Sequence, residues 1–477
     1  MKKDRFKDYD DEVRSLVLDF ENTVLKGESQ FFDADELEVI IDYYFEVNDI
    51  KPLEKAVEYG EYLYPDSTQL RLRRAHLMMT HQKYDTALGM LRKLREMEPE
   101  NTDIAYSMGV ALGAVGESQK AIECFEEAAT DGWQLGRIFS NMAEEYYKLK
   151  DYDRAIEHYR AAMETDSYDE VTIYNFYDVC NEVGRFEEAA DFLNRFVKRN
   201  PYSKEGWYCL GCARRDLTLY ELAVDAFEFA IAIDKTFVDA YVMLSQVQDF
   251  QGHLGEAVTT MLRALEFSEN KDRIYRTVGS LYAREANFDT AIDYYRKALD
   301  ENPADADAYA ALAVCLLQQN DFVSALSHAK TALNLEAALH DENSEGGNPD
   351  VYCSAAMVYD AMGNFEEASQ CFEKMVGTDL ASEEQYQLYV QFLYAHKVYD
   401  IIIIFANESL DVYPHDIFYS TYLAASYFYT NRYNKARQVL PDVSPDLLGE
   451  ICPEIMVHPL LGPLVPQSPW VEKKEER

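Results

Sequence analysis

Alanines at a strict interval of 34 residues restrict the fold of this chain more than any other feature of its sequence. Eight alanines keep this phase without a slip: Ala87, Ala121, Ala155, Ala189, Ala223, Ala257, Ala291 and Ala325. Seven residues after each comes a second set, mostly small: Leu94, Ala128, Ala162, Phe196, Ala230, Ala264, Ala298 and Ala332. Twelve residues before each comes a third set: Ala75, Gly109, Ala143, Tyr177, Gly211, Ser245, Gly279 and Ala313. A fixed period of this kind is typical of an array in which one repeated unit buries its apolar face only against its neighbours.

One period, residues 272–305, has the pattern of two amphipathic helices. Apolar residues follow helical spacing at Ile274, Val278, Leu281 and Tyr282, and again at Phe288, Ala291, Ile292, Tyr295, Ala298 and Leu299. Residues 284–287 are interpreted as a short turn, and Pro303 closes the second helix because the residue before a proline is disfavoured in helical geometry. Since the small residues let two helix backbones approach closely, each period is predicted to be an antiparallel helical hairpin.

Further residues recur at fixed places in these periods. Trp207, Leu210 and Gly211 form the pattern W-x2-L-G, and Ala223 with Phe227 forms A-x3-F. A proline stands near the end of several periods, at Pro65, Pro99, Pro201, Pro303 and Pro414. An aromatic residue begins the second helix at Tyr84, Tyr152, Phe186, Tyr220, Phe288, Phe322, Phe365, Tyr399 and Tyr433. The sequence therefore resembles the tetratricopeptide-repeat family. The resemblance implies an all-α fold, a right-handed superhelical solenoid of about twelve antiparallel helix hairpins.

The repeat phase divides the chain into five predicted segments. Residues 1–33 contain one amphipathic stripe and are expected to form an N-terminal capping helix. Nine repeats follow in residues 34–339, and three more occupy residues 349–450. Between them residues 340–348 break the phase and are predicted to be a flexible acidic insertion. Residues 451–477 form a proline-rich tail, which either packs as a cap or remains mobile.

The charge of the chain excludes some classes of partner. Lysine and arginine number 45 against 86 aspartate and glutamate, which gives a formal net charge of −41. A nucleic acid or an anionic membrane surface needs clustered positive charge, so neither is predicted to be a ligand. The pattern favours a solvated acidic exterior that keeps a long array soluble over specific recruitment of basic partners.

The sequence favours a cytoplasmic protein. No apolar segment follows residues 1–12, so nothing resembles a secretory signal, and the longest aliphatic run, residues 401–404, is too short to span a bilayer. Eight cysteines in a chain of this length do not form the dense framework of a small secreted domain.

No motif predicts catalysis, a cofactor or a metal. Cys209 and Cys212 form a C-x2-C pair, but a structural zinc site needs four ligands and the sequence offers no second pair. Residues 341–346 have the composition of a calcium loop, but the carboxylate expected at its twelfth position is Tyr352. No phosphate-binding loop, G-x-S-x-G elbow or H-E-x-x-H helix occurs. The chain is predicted not to be an enzyme.

The family resemblance also implies a binding site. First helices of such repeats line a concave inner face that holds an extended peptide or a partner helix, through positions two, five, six, nine and twelve. Those positions in the central repeats give Arg137, Asn141, Tyr174, Asn175, Tyr208, Cys212, Arg215, Gln246, Arg273, Arg276, Thr277 and Ser280. Arginine and tyrosine are the residue types that anchor interfaces, so this set is predicted to form the groove. The lysines, asparagines and arginine of the carboxylate clamp that binds chaperone tails do not occur in the required combination.

Three functions fit these features. The leading hypothesis is a non-catalytic scaffold or adaptor that binds a protein or peptide segment in the groove. The alternative is a self-assembling structural repeat protein whose C-terminal tail is an intermolecular or autoinhibitory ligand. A third is an accessory subunit that presents substrate to an enzyme encoded elsewhere.

Overall fold

The computed structural model describes residues 11–28, 30–165, 167–339, 347–378 and 380–466. Within these ranges the chain forms helices and their connections and contains no strand. The α-helices are α1 (Asp11–Asn22), α2 (Ala34–Glu46), α3 (Ile50–Leu63), α4 (Thr68–Thr80), α5 (Tyr84–Met97), α6 (Thr102–Ala114), α7 (Ser118–Ala128), α8 (Leu135–Lys148), α9 (Tyr152–Met163), α10 (Val171–Glu182), α11 (Phe186–Arg199), α12 (Lys204–Asp216), α13 (Tyr220–Ile233), α14 (Val238–Phe250), α15 (Leu254–Ala264), α16 (Lys271–Arg284), α17 (Phe288–Glu301), α18 (Ala306–Gln318), α19 (Phe322–Leu339), α20 (Pro349–Ala361), α21 (Phe365–Val376), α22 (Glu383–Ala395), α23 (Tyr399–Val412), α24 (Ile417–Tyr429), α25 (Tyr433–Val439), α26 (Pro445–Ile451) and α27 (Pro453–Met456).

Helices α2–α25 follow one another along the chain as twelve pairs, numbered here one to twelve from α2–α3 to α24–α25. The chain divides into two compact units, Met1–Gln251 and Gly252–Arg477, with α1–α14 in the first and α15–α27 in the second. In each unit most consecutive helices pack against one another. The prediction of an all-α fold built from about twelve helix pairs is confirmed.

The connection inside each pair adopts left-handed backbone geometry at one fixed position. The residues concerned are Asn48, Gln82, Gly116, Lys150, Gly184, Thr218, Gly252, Ala286, Asn320, Gly363, Lys397 and Asn431, with φ between 52° and 82°. They are 34 residues apart, except that 43 residues separate Asn320 from Gly363. Glycine adopts this geometry freely, whereas a side chain on Cβ is strained there. Asparagine also adopts it readily, so the strain falls on the five positions that are neither glycine nor asparagine, which are Gln82, Lys150, Thr218, Ala286 and Lys397.

Replacing Thr218 by glycine is expected to stabilise the protein. Thr218 has a φ of 58°, and a β-branched residue is the least suited to that value. The Thr218→Gly variant should gain about 1 kcal/mol in free energy of unfolding, measured by urea denaturation. Thr218→Ala is the matched control, because alanine removes the same side-chain atoms beyond Cβ and keeps the strain. Equal stability of the two variants would contradict the explanation.

Small residues on first helices make room for aromatic rings from second helices. A Cβ added to Gly109 would lie 2.6 Å from a carbon of Phe125, and one added to Gly211 would lie 2.6 Å from Phe227. Gly279 has the same relation to Tyr295, at 2.9 Å. The recurrent small position of the sequence is thus the place where two backbones approach closely around a ring.

The two ends of the repeat array are covered by short helices. In the first unit α1 buries Val17 and Phe20 in one apolar cluster with residues of α2, and the Phe20 and Phe32 rings are 5.9 Å apart. In the second unit Cys452, Ile455 and Leu461 are buried in the cluster that contains residues of α24. The first part of the proline-rich tail therefore packs against the last repeat of the second unit. Residues 340–346 of the predicted insertion and 467–477 of the tail lie outside the described residues.

Among the helices described, none combines the length and apolar content that crossing a lipid bilayer requires.

Candidate protein-binding surface

The twelve residues predicted for the groove lie on first helices in both units. In the first unit α8 carries Arg137 and Asn141, α10 carries Tyr174 and Asn175, α12 carries Tyr208, Cys212 and Arg215, and α14 carries Gln246. In the second unit α16 carries Arg273, Arg276, Thr277 and Ser280. These residues are called the first-helix set below, and their members in each unit are described separately.

Aromatic rings form the centre of the first-helix set in the first unit. The rings of Tyr174 and Tyr208 are both half-buried and meet edge to face at 6.0 Å. The Tyr208 ring also lies 5.2 Å from Phe237 and 5.8 Å from Phe227. Burial raises the pKa of both tyrosines, so their hydroxyls stay protonated at neutral pH. This pair offers apolar faces together with hydroxyl groups, which is the chemistry of an interface anchor.

The amide and thiol members of the set make contacts within the protein. The side-chain nitrogen of Asn141 donates a hydrogen bond to the Tyr106 hydroxyl at 3.0 Å, and Asn175 hydrogen-bonds to the Tyr159 hydroxyl. Cys212 lies beneath the surface, with 3% of its area exposed, and burial raises the pKa of its thiol to about 12. These side chains hold the helices in place more than they offer themselves to a ligand.

All eight cysteines are buried and free of disulfides. Burial raises the pKa of the Cys209 thiol well above its usual value, so this thiol is protonated like that of Cys212. In the described ranges no group of three or more histidine, cysteine or acidic residues is placed to hold a metal ion.

Two of the four predicted arginine anchors are already neutralised. The guanidinium of Arg215 lies 2.8 Å from an Asp216 carboxylate oxygen and 3.2 Å from the sulfur of Met243. Arg276 forms ion pairs with Asp305, at 3.3 Å, and with Asp307. An arginine committed in this way gives little to a ligand unless its own carboxylate is displaced.

The other two arginines are exposed. Arg137 donates a hydrogen bond to the side-chain oxygen of Gln134 at 3.3 Å. Arg273 borders a cavity of about 350 Å³ in the second unit. Neither guanidinium forms an ion pair within the residues that the structure describes.

The remaining polar residues of the first-helix set differ in whether their side chains are free to contact a ligand. Thr277 donates a hydrogen bond to the backbone carbonyl of Arg273 at 2.9 Å, and Ser280 hydrogen-bonds to Tyr295. Gln246 is exposed on α14.

A cavity that the sequence did not predict lies at the start of α10 and α12 in the first unit. Its volume is about 410 Å³, and Glu170, Ile173, Tyr202 and Glu205 are among its lining residues. The signal for it was present in the sequence as two glutamates 35 residues apart at the beginning of consecutive first helices. Acidic residues are ordinary in a first helical turn, however, so the pattern does not stand out.

Models of a known repeat family match several parts of this chain. Two family models described as Tetratricopeptide repeat match the chain, one over residues 282–337 and the other over residues 136–169, 238–271 and 349–380. These four stretches of the chain are tetratricopeptide repeats. The second model begins its three matches at or next to the first residues of α8, α14 and α20.

The proteins similar to this chain differ in how much of their length aligns with it. Hsp70-Hsp90 organizing protein 3 of Arabidopsis thaliana is 28% identical over 40% of this chain, and the alignment spans only 35% of that relative. TPR repeat-containing protein YpiA of Bacillus subtilis is 21% identical over 74% of this chain and 81% of its own length. Among solved structures, the anaphase-promoting-complex hetero-tetramer Cut9-Hcn1 aligns over 83% of this chain and 90% of that chain, with 14% identity and a TM-score of 0.41.

Proposed function

We propose that this protein is a non-catalytic scaffold or adaptor that binds an extended segment of a partner protein through the first-unit members of the first-helix set. The observation that carries the proposal is the Tyr174–Tyr208 pair. It places two half-buried aromatic side chains in contact at positions that the family uses for ligands. Large aromatic residues are frequent among the few side chains that supply most of the binding energy of an interface.

The ligand in this proposal is a protein segment, because a net charge of −41 disfavours phosphate backbones and anionic lipids. The relation to Hsp70-Hsp90 organizing proteins does not supply the partner, since the alignment covers about a third of their length. The sequence also lacks the clamp residues that bind chaperone tails. Packing of Ile455 and Leu461 on the chain's own helices supports a capping role for this part of the tail.

The Tyr174→Ala variant is expected to lose its binding of the partner protein. Loss of an anchor of this kind typically costs at least about 2 kcal/mol, which corresponds to roughly a thirtyfold fall in affinity. The measurement is affinity enrichment from a lysate of the source organism, read by quantitative mass spectrometry, for wild type and variant of equal thermal stability.

Tyr220→Ala is the matched control for this experiment. Tyr220 is half-buried at the start of the second helix α13 and stacks on Phe250 at 6.1 Å, so its loss also removes one ring contact. We expect Tyr220→Ala to capture the same partner as the wild type while Tyr174→Ala does not. Identical capture by all three proteins would place the binding site elsewhere.

A further inference from the structure

We infer that the turns between consecutive pairs of the first unit form a second binding surface, for a basic segment of a partner protein that carries apolar side chains at regular intervals. The turns join pairs one to six and are called the junctions below, together with the residues that lead into pair one. This surface is distinct from the first-helix set. The junctions are residues 30–33, 64–67, 98–101, 129–134, 164–170 and 200–203.

The junctions follow one another along a continuous edge of the first unit. First helices of neighbouring pairs mostly contact one another, which places the starts of these helices about 10 Å apart. A hydrogen bond also joins each junction, or the helix start beside it, to the next. The bonded pairs are Tyr64 with Phe32, Thr68 with Glu98, Thr102 with Asp131, Gly136 with Ser167 and Glu170 with Glu205.

Each junction carries one large apolar side chain that is mostly exposed. In the described part of the first unit eight such side chains are more than half exposed, and six lie within two residues of a junction or inside it. The other two, Phe229 and Phe250, lie on helices. A single exposed apolar residue is ordinary, but one at every successive junction is not. The six residues are Phe31, Tyr62, Met97, Trp133, Val171 and Tyr202.

The same junctions are acidic. Their described residues include eight carboxylates and no lysine, arginine or histidine. Asp66 forms an ion pair with Arg71 at 3.3 Å and Glu164 forms one with Arg199 at 3.8 Å, whereas the other six form none within the described ranges. The helix dipole explains carboxylates near helix starts but not the apolar side chains beside them. The eight are Asp33, Asp66, Glu98, Glu100, Asp131, Glu164, Asp169 and Glu170.

The charge of this edge specifies the ligand that covers its apolar side chains. Nucleic acids, anionic bilayers and a second copy of this chain are disfavoured, because each brings negative charge to a surface without basic residues. Lysine and arginine instead pair with the carboxylates and pack on the exposed aromatic rings. An extended segment advances about 3.3 Å per residue, so every third side chain reaches a new junction. The ligand is thus an extended basic segment with an apolar residue at about every third position.

Binding of synthetic peptides to the full-length protein tests this second surface. The probe is a fluorescently labelled peptide of five identical triplets, each with two lysines and one phenylalanine, and the readout is fluorescence anisotropy. Serine in place of every phenylalanine should weaken binding by at least about tenfold, because the apolar anchors are lost. A peptide of the same composition with its phenylalanines placed together should also bind more weakly, since each junction offers only one apolar side chain.

A variant with three exposed rings removed locates the peptide on the protein. Tyr62→Ser, Trp133→Ser, Tyr202→Ser should bind the phenylalanine peptide at least about tenfold more weakly than the wild type, with an unchanged thermal midpoint. If the triple variant is less stable, the single variants give the same test with smaller effects. Phe250→Ser is the matched control, because this exposed ring lies at the end of a first helix, away from the junctions.

Each outcome decides for or against the junctions. Absence of binding by the phenylalanine peptide, or equal binding by the serine peptide, would overturn the second surface, because charge alone would explain any attraction. Equal binding by the triple variant would place the peptide elsewhere. Tyr174→Ala should bind like the wild type, and a loss there instead would assign the peptide to the first-helix set. Capture of phosphatidylcholine vesicles that the triple variant loses would make this edge a lipid surface instead.

Discussion

Gly211→Ala is expected to destabilise the protein by about 2 to 3 kcal/mol, although it adds a single methyl group. The new Cβ would lie 2.6 to 2.8 Å from three carbons of the Phe227 ring, closer than such atoms approach in proteins. Either α12 and α13 must separate or the ring must leave its position. Because repeat arrays can unfold in parts, the measurement is urea denaturation together with amide hydrogen exchange of α12 and α13.

Two further variants separate crowding from the general effect of replacing a glycine in a helix. Gly89→Ala is the matched control, since Gly89 is exposed on α5 with nothing within 4 Å of its added Cβ. There the substitution should stabilise by about 1 kcal/mol, because alanine is the better helix former. Adding Phe227→Leu to Gly211→Ala should recover part of the loss, as Ala75 is combined with Leu91 in pair two. A loss at Gly211 that Phe227→Leu does not reduce would argue against crowding.

Displacement of the Phe227 ring by Gly211→Ala would also affect the candidate binding surface. The Phe227 ring lies 5.8 Å from Tyr208, which in turn lies 6.0 Å from Tyr174. A displaced Phe227 therefore removes support from the aromatic pair on which the proposed function rests. The period of small residues that defines the fold thus also positions the candidate site.

The fold could be predicted from the sequence because the residues that define each repeat are close together in the chain and recur at a fixed interval. Small residues every 34 positions mark where helices approach, and the turn predicted at residues 284–287 lies between the end of α16 at Arg284 and the start of α17 at Phe288. The left-handed turn position was not evident, since Thr218, Ala286 and Lys397 are not residues that favour it. Its recurrence shows that helix packing overrides a local preference worth about 1 kcal/mol.

The candidate site was less predictable because its chemistry depends on which charged side chains meet across neighbouring repeats. Arg276 and Asp307 are 31 residues apart, and their ion pair is set by side-chain placement that no periodicity encodes. The sequence could place Arg215 on a first helix but could not show that Asp216 engages it. The burial of Glu205 has the same origin, because its exposure depends on the cavity formed with the preceding first helix.

Ile455→Asp is expected to cost at least about 3 kcal/mol and to uncover the last repeat. Ile455 on α27 is fully buried, at 0% exposure, in one apolar cluster with Tyr419 and Leu423 of α24. A carboxylate there loses the transfer free energy of the isoleucine and must either be desolvated or drive α27 away. Terminal repeats need such covers because their outer faces otherwise meet water. The measurements are the thermal midpoint and limited proteolysis of residues 440–466.

Val457→Asp is the matched control, because it introduces the same charge two residues later at a side chain that is 81% exposed. The control should match the wild type in stability, whereas Ile455→Asp should become protease-sensitive near its C-terminus and prone to association. Tyr394 reinforces this expectation, since its hydroxyl donates a hydrogen bond at 2.7 Å to the carbonyl of Ile451 and so ties the start of the tail to α22. If the two aspartate variants were equally stable, α27 would not be a cap, and the tail would be free to bind another surface.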